Sequence, residues 1–238
     1  MDESPCLPTP SESPLETYES LAGLIDYHRL APELSDTDVG DACRTARQYA
    51  VRALIVRPAD VEAVLRWTES SGVVVGSTVG FPDGSTTTAA KLYEGRDLLR
   101  RGAKELEIVV NTGKLISREF QYVEMELLQM AKSCRESDAR LTVVLRNDLL
   151  PADLQIIATK IAKRVEADYL SVTPSAADFE RIKPLLKGAI GLKAETEAST
   201  LEQVLALRDW GCTRIGCRQV GPVLEAWRGH LDRSTADS

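Results

Sequence analysis

Gly72-Val73-Val74-Val75-Gly76-Ser77-Thr78-Val79-Gly80-Phe81-Pro82-Asp83-Gly84-Ser85-Thr86-Thr87-Thr88-Ala89-Ala90-Lys91 opens with a β-branched run and breaks at a Gly-Phe-Pro-Asp-Gly turn. Val73–Thr78 reads as a strand, because β-branched side chains suit a pleated, buried surface. Similar runs lie before it at Leu21–Ile25 and Ala53–Val56. After it come Leu106–Val110, Leu141–Leu145, Tyr169–Val172, Ile190–Lys193 and Thr213–Gly216. Between them the apolar residues recur at helical spacing, as in Val61, Val64, Leu65 and Thr68, or Leu154, Ile157, Ala158 and Ile161. Helix-start signals stand at Ser35-Asp36-Thr37-Asp38, Pro58-Ala59-Asp60, Pro151-Ala152-Asp153 and Ser199-Thr200-Leu201-Glu202. In the last, the Glu side chain can return to the cap N–H.

Strand starts run from residue 21 to residue 212, one strand–helix unit about every 27 residues. Eight such units make a minimal (β/α)8 barrel. Near-continuous apolar strands also suit a parallel sheet buried on both faces. The expected fold is therefore α/β, a single (β/α)8 TIM barrel over residues 21–228. A doubly wound open sheet is the alternative, but it usually has fewer strands and a glycine-rich first turn. Leu24-Ile25-Asp26-Tyr27-His28 holds no GxGxxG, so dinucleotide binding has no support. Residues 1–20 carry four prolines, five acids and no Lys or Arg, and read as a disordered tail; residues 229–238 read as a flexible C-terminal tail.

The chain has 238 residues, 43% of them hydrophobic, and a net charge of −7, which argues against neutralising the phosphates of a nucleic acid. No apolar run is long enough to span a membrane, and no basic segment followed by an apolar one reads as a secretory signal. Cys6, Cys43, Cys134, Cys212 and Cys217 are scattered without a CxxC pair, and the only histidines are His28 and His230. Reduced thiols, a cytoplasmic location, no metal and no cofactor are the expectations. Trp67, Trp210 and Trp227 fall on helical patterns and read as packing against the barrel.

Chemistry in such a barrel sits at the C-terminal strand ends. In order these offer Asp26 and His28, Arg57, Thr78, Glu107 and Asn111, Arg146-Asn147-Asp148, Ser171 and Thr173, Lys193-Ala194-Glu195, then Gly216 and Arg218. Lys193 follows Ile190-Gly191-Leu192 inside an apolar run. It is either a desolvated amine of lowered pKa, able to form a Schiff base, or the partner of Glu107 or Glu195. Cys217 reads as a buried, inert thiol, with reactivity promoted by Arg218 as the alternative.

The Gly72–Lys91 stretch resembles the third-strand segment of deoxyribose-phosphate aldolases, with their Gly-Phe-Pro-x-Gly turn, Thr-Thr helix start and following lysine. Leu24-Ile25-Asp26 with Leu30-Ala31-Pro32 falls in register with that family, as does Gly102-Ala103-Lys104-Glu105-Leu106-Glu107 leading to Val110-Asn111-Thr112-Gly113. Gly191-Leu192-Lys193-Ala194 and Gly211-Cys212-Thr213-Arg214-Ile215-Gly216 complete a match over roughly residues 21–224. The resemblance implies a class I aldolase, cleaving 2-deoxy-D-ribose 5-phosphate to glyceraldehyde 3-phosphate and acetaldehyde through a Schiff base.

By the same resemblance, Ser171 occupies the position of the nucleophilic lysine. Glu107 replaces the proton-shuttling aspartate, and Lys193 is the second lysine that normally lowers the nucleophile's pKa. The family's Ala-Ser-Gly-Gly, whose backbone N–H groups can approach a phosphate, is Ala194-Glu195-Thr196-Glu197 here. Cys217-Arg218-Gln219-Val220 replaces Thr-Ser-Ser-Gly, so that Arg218 is either a phosphate contact or a partner for Glu195 or Glu197. Three readings follow. In one, an aldolase works through Lys193 and Glu107. In another, the barrel binds a different small ligand or does other chemistry, with Arg146, Glu195, Glu197 and Arg218 setting its specificity; the ligand-binding candidates are Asp26, Asn111, Arg146, Thr173, Glu195, Gly216 and Arg218. In the last it is non-catalytic and serves binding, assembly or regulation. The expected partner is a sugar phosphate or related carbonyl compound, and self-association stays open.

Overall fold

A computed structural model describes residues 15–236, apart from the side chains at 196, 197 and 234–236. Its eight strands are β1 (Ile25–Arg29), β2 (Ala53–Val56), β3 (Val74–Val79), β4 (Glu105–Val109), β5 (Arg140–Leu145), β6 (Tyr169–Val172), β7 (Gly191–Ala198) and β8 (Arg214–Cys217). They form a closed barrel in chain order, with β8 returning to β1 through Ile25↔Ile215 and Asp26↔Gly216. Every pairing is parallel. The expected (β/α)8 barrel is therefore the observed fold.

The helices are α1 (Tyr18–Ala22), α2 (Asp36–Gln48), α3 (Val61–Trp67), α4 (Thr88–Arg101), α5 (Thr112–Ile116), α6 (Phe120–Glu136), α7 (Ala152–Arg164), α8 (Ala176–Leu186), α9 (Leu201–Asp209) and α10 (Val220–Ala236). Ser35 caps α2 by accepting from Asp38 N–H, as read; at α9 the cap is one residue later than read, with Thr200 accepting from Gln203 N–H and Gln203, not Glu202, accepting from Ser199 N–H. One face of each strand packs under the helices in a continuous apolar cluster that includes Leu54, Val56, Leu106, Ile108, Leu170 and Ile215. The other face points into the lumen, where period-two alternation places Asp26, Glu105, Glu107, Ser171, Lys193 and Arg214.

Three boundaries differ from the sequence reading. Leu21 and Ala22 end α1 instead of opening the first strand, and β1 starts at Ile25. The expected tail over residues 1–20 is cut short as well. Thr17 caps α1, the Tyr18 hydroxyl donates to Tyr49 C=O at 2.9 Å, and Trp227 Nε1 donates to Thr17 C=O at 3.1 Å. Residues 1–14 lie outside the described residues. At the other end α10 runs through Ala236, so residues 229–236 are helical and not a loose tail.

The β3–α4 turn lies close against the end of β4. Gly84 has φ +71, and a Cβ there would stand 2.4 Å from Val110 O and 2.7 Å from Val109 O. Only glycine meets both demands. Lys91, on α4, is fully buried. Its ammonium donates to Val109 C=O at 2.8 Å and to Glu126 of α6 at 2.7 Å, and Thr88 Oγ1 donates to the other Glu126 oxygen at 2.8 Å. This lysine thus ties α4, β4 and α6 together away from the lumen.

Candidate functional site

β1, β4, β7 and β8 bring one ionic cluster into the lumen. Lys193 Nζ contacts Asp26 Oδ2 at 2.7 Å and hydrogen-bonds Glu107 Oε1, with no accessible surface on the lysine. Arg214 Nη2 reaches Asp26 Oδ1 at 2.9 Å and Glu105 Oε2 at 3.3 Å. Arg52 adds a longer contact to Glu105 at 3.8 Å, and His28 Nε2 lies 3.4 Å from Glu107 Oε1. Asp26, Glu105 and Glu107 are close enough to hold a metal ion, but Lys193 and Arg214 already supply the cations they face.

Each charge in this cluster is set by its neighbours. Burial alone would lower the Lys193 pKa, but the Asp26 and Glu107 carboxylates outweigh it and push the amine above its ordinary value. Burial would raise Asp26, and Arg214 and Lys193 reverse that shift and hold it low. Glu107 is likewise held far below the carboxylate range by Lys193 and His28, against the effect of burial. Glu105 goes the other way, raised by burial and by the nearby Asp26.

Among the expected mouth residues, Lys193, Glu107 and Asp26 therefore meet, and of the two partners proposed for Lys193 from sequence it is Glu107 that binds. Ser171 sits opposite Lys193 in the β6–β7 register, fully buried, and its hydroxyl has no hydrogen-bond partner among the described residues. Gly216 is part of the same layer: a Cβ there would meet His28 Cε1 at 2.8 Å. Glu195 is half-buried, and burial raises its pKa.

The remaining candidates serve local structure or the rim. Asn111 caps α5 by accepting from Lys114 N–H at 3.1 Å. Arg146 forms a two-pronged pair with Asp148, at 3.0 and 2.9 Å. Thr173 is exposed, and its backbone N–H donates to Asn147 Oδ1 at 2.8 Å. Arg218 is exposed as well. The side chain of Glu197 lies outside the described residues. Cys217 is buried, donates to Ala198 C=O at 3.1 Å and has its pKa raised by burial, which fits an inert thiol.

Where the resemblance sets a glycine loop, β7 instead continues as strand to Ala198, with a register shift against β8 between Glu195 and Ala198. Sequence reasoning missed Arg214, Arg52 and Glu105. Their signal is period-two spacing, since Glu105 shares the face of Glu107, and Arg214 shares that of Gly216.

No family model matches the chain. A deoxyribose-phosphate aldolase of Bacteroides thetaiotaomicron is 30% identical over 219 residues, covering 89% of this chain and 92% of that protein. The chain belongs to the deoxyribose-phosphate aldolase family. A second deoxyribose-phosphate aldolase, from Thermococcus gammatolerans, is 29% identical and covers 87% of this chain and 96% of its own length. The tetrameric deoxyribose phosphate aldolase of Aeropyrum pernix shares the fold with a TM-score of 0.83, at 24% identity over 91% of this chain and 94% of its own. In this member of the family Ser171 on β6 stands opposite the lumen lysine Lys193 on β7. Among the described residues no helix is long and apolar enough to cross a membrane.

Proposed function

We propose that this member of the aldolase family does not form the Schiff base, and that it acts as a small-ligand-binding barrel without aldol turnover. The observation that carries the proposal is the state of Lys193: sealed from solvent and clamped between Asp26 and Glu107. An imine needs a free amine with a lone pair to attack a carbonyl. An amine at or above the ordinary value of about 10.4 leaves less than ~0.1% unprotonated at neutral pH. Ser171, its register partner, supplies no second ammonium to lower it. The phosphate end supports the same reading, since β7 stays extended where a glycine loop would present N–H groups, and Glu195 adds negative charge. The ligand then meets the rim, where Glu195, Thr173, Arg146 and Arg218 offer both acceptors and cations. A cytoplasmic location belongs to the proposal, supported by four buried free cysteines. So does self-association, supported by the tetramer of the Aeropyrum pernix relative.

A second reading keeps the family reaction, with Lys193 as nucleophile and Glu107 as acid and base; the direct contact between the two groups favours it. Borohydride trapping with acetaldehyde or 2-deoxyribose 5-phosphate, followed by mass mapping, separates the readings. No adduct is expected, and calorimetry should show weak or no binding of the sugar phosphate. Rapid labelling of Lys193 would overturn the proposal in favour of turnover.

A further inference from the structure

Outside the lumen, a groove of about 660 Å³ opens between α2 and α3. Its floor is Gly40: a Cβ at that position would lie 3.9 Å from Arg44 Nη1 and 4.0 Å from Trp67 Cζ3. A guanidinium and the edge of an indole therefore converge over one point that carries no side chain. Trp67 is 40% exposed, although its helical spacing reads as packing, so its ring is available to the groove. Arg47 Nη1 donates to Trp67 C=O at 3.2 Å and fixes the end of α3 beside α2. Arg44 pairs with Asp41, which lies outside the lining. Arg66 lines the groove with no ion-pair or hydrogen-bond partner among the described residues. Asp36 is the one lining carboxylate.

The geometry points to a binding site for a mononucleotide, with its base against the Trp67 indole and its phosphate on Arg44 and Arg66. Three arginines and one aspartate line the groove, so its lining is net positive in a chain whose net charge is −7. Guanidinium forks match phosphate oxygens two at a time, and an indole edge meets the face of a planar heteroaromatic ring in a T-shaped contact. Asp36 can accept from a ribose hydroxyl or an exocyclic amine. The volume lies within the ordinary range of small-molecule sites and exceeds what a lone phosphate fills.

Titration calorimetry on the full chain, with adenosine 5′-monophosphate, adenosine and inorganic phosphate as separate probes, tests the site. The monophosphate should bind at least tenfold more tightly than either part alone. Arg44→Ala combined with Arg66→Ala should weaken it at least tenfold, and so should Trp67→Ala. Gly40→Leu keeps every charge but fills the floor, and should abolish binding while circular dichroism stays unchanged. The site is refuted if the mononucleotide gives no heat at millimolar concentration, binds no better than phosphate, or is indifferent to these variants. Tight binding of a single-stranded oligonucleotide without binding of the mononucleotide would also overturn it.

Discussion

Ser171 on β6 and Lys193 on β7 are direct partners in the parallel ladder, both without accessible surface, yet they do not serve each other. The Lys193 ammonium turns to Asp26 and Glu107, and the Ser171 hydroxyl is left without a partner. A second long cationic side chain at position 171 would repel the Lys193 ammonium and favour one neutral amine, and serine does not. It leaves the amine to the carboxylates.

Ser171→Lys should supply that repulsion. Two ammonium groups on adjacent strands cannot both stay charged in a buried lumen, so one pKa falls. Borohydride with acetaldehyde should then label residue 171, while turnover of 2-deoxyribose 5-phosphate stays near background because β7 still lacks the glycine loop. Labelling of Lys193 in place of residue 171, or of neither, would show that the lumen does not impose the coupling.

Lys193→Ala should destabilise the fold by ~3–5 kcal/mol, since it removes the buried Glu107 carboxylate's closest cation and leaves Asp26 to Arg214 alone. Urea unfolding measures this. A change below ~1 kcal/mol would mean that Arg214 alone satisfies the cluster.

Stability should fall as the pH drops below about 4. Asp26 and Glu107 have lowered pKa values in the folded chain, so across that window the unfolded chain binds more protons. Glu105 and Glu195, raised by burial, act in the opposite direction and mainly above the unfolded value of about 4.3, where they oppose the onset of the acid limb. Lys193, whose pKa is raised, stays charged and contributes fully at every pH below about 10.4. Glu107→Gln should therefore lower the neutral plateau and flatten the acid limb; an acid limb as steep as in the parent would contradict the assignment.

Lys91→Met and Glu126→Leu should each cost ~3–5 kcal/mol, because each leaves one buried charge unmatched. The double variant should recover part of the loss, leaving the unmet Val109 carbonyl and Thr88 hydroxyl. Strict additivity in this cycle would rule out direct coupling.

The barrel was legible because parallel strands buried on both faces write themselves as apolar, β-branched runs at near-constant spacing, and Ala53–Val56 and Tyr169–Val172 were read to the residue. The ends were not. Prolines and acids give residues 1–20 a disordered composition, while Leu15, Tyr18 and Leu21 gain their burial from elements remote in sequence. Lys193 was legible as a lysine in an apolar run, but its contact with Asp26 needed barrel closure, which brings β1 near β7. The pairing of Lys91 has no local signal, since its partner lies 35 positions away on another helix.

Trp227 on α10 grips Thr17 at the cap of α1, while Arg228 lies over the Tyr18 ring at 4.5 Å. The first and last described helices thus share one seam, in a barrel whose β8 rejoins β1. In a ring of repeated units the site of such a seam is arbitrary. A peptide spanning α10 and α1 would let the chain be reopened at another helix–strand connection, and the rotated protein should keep the same order of strands around the lumen.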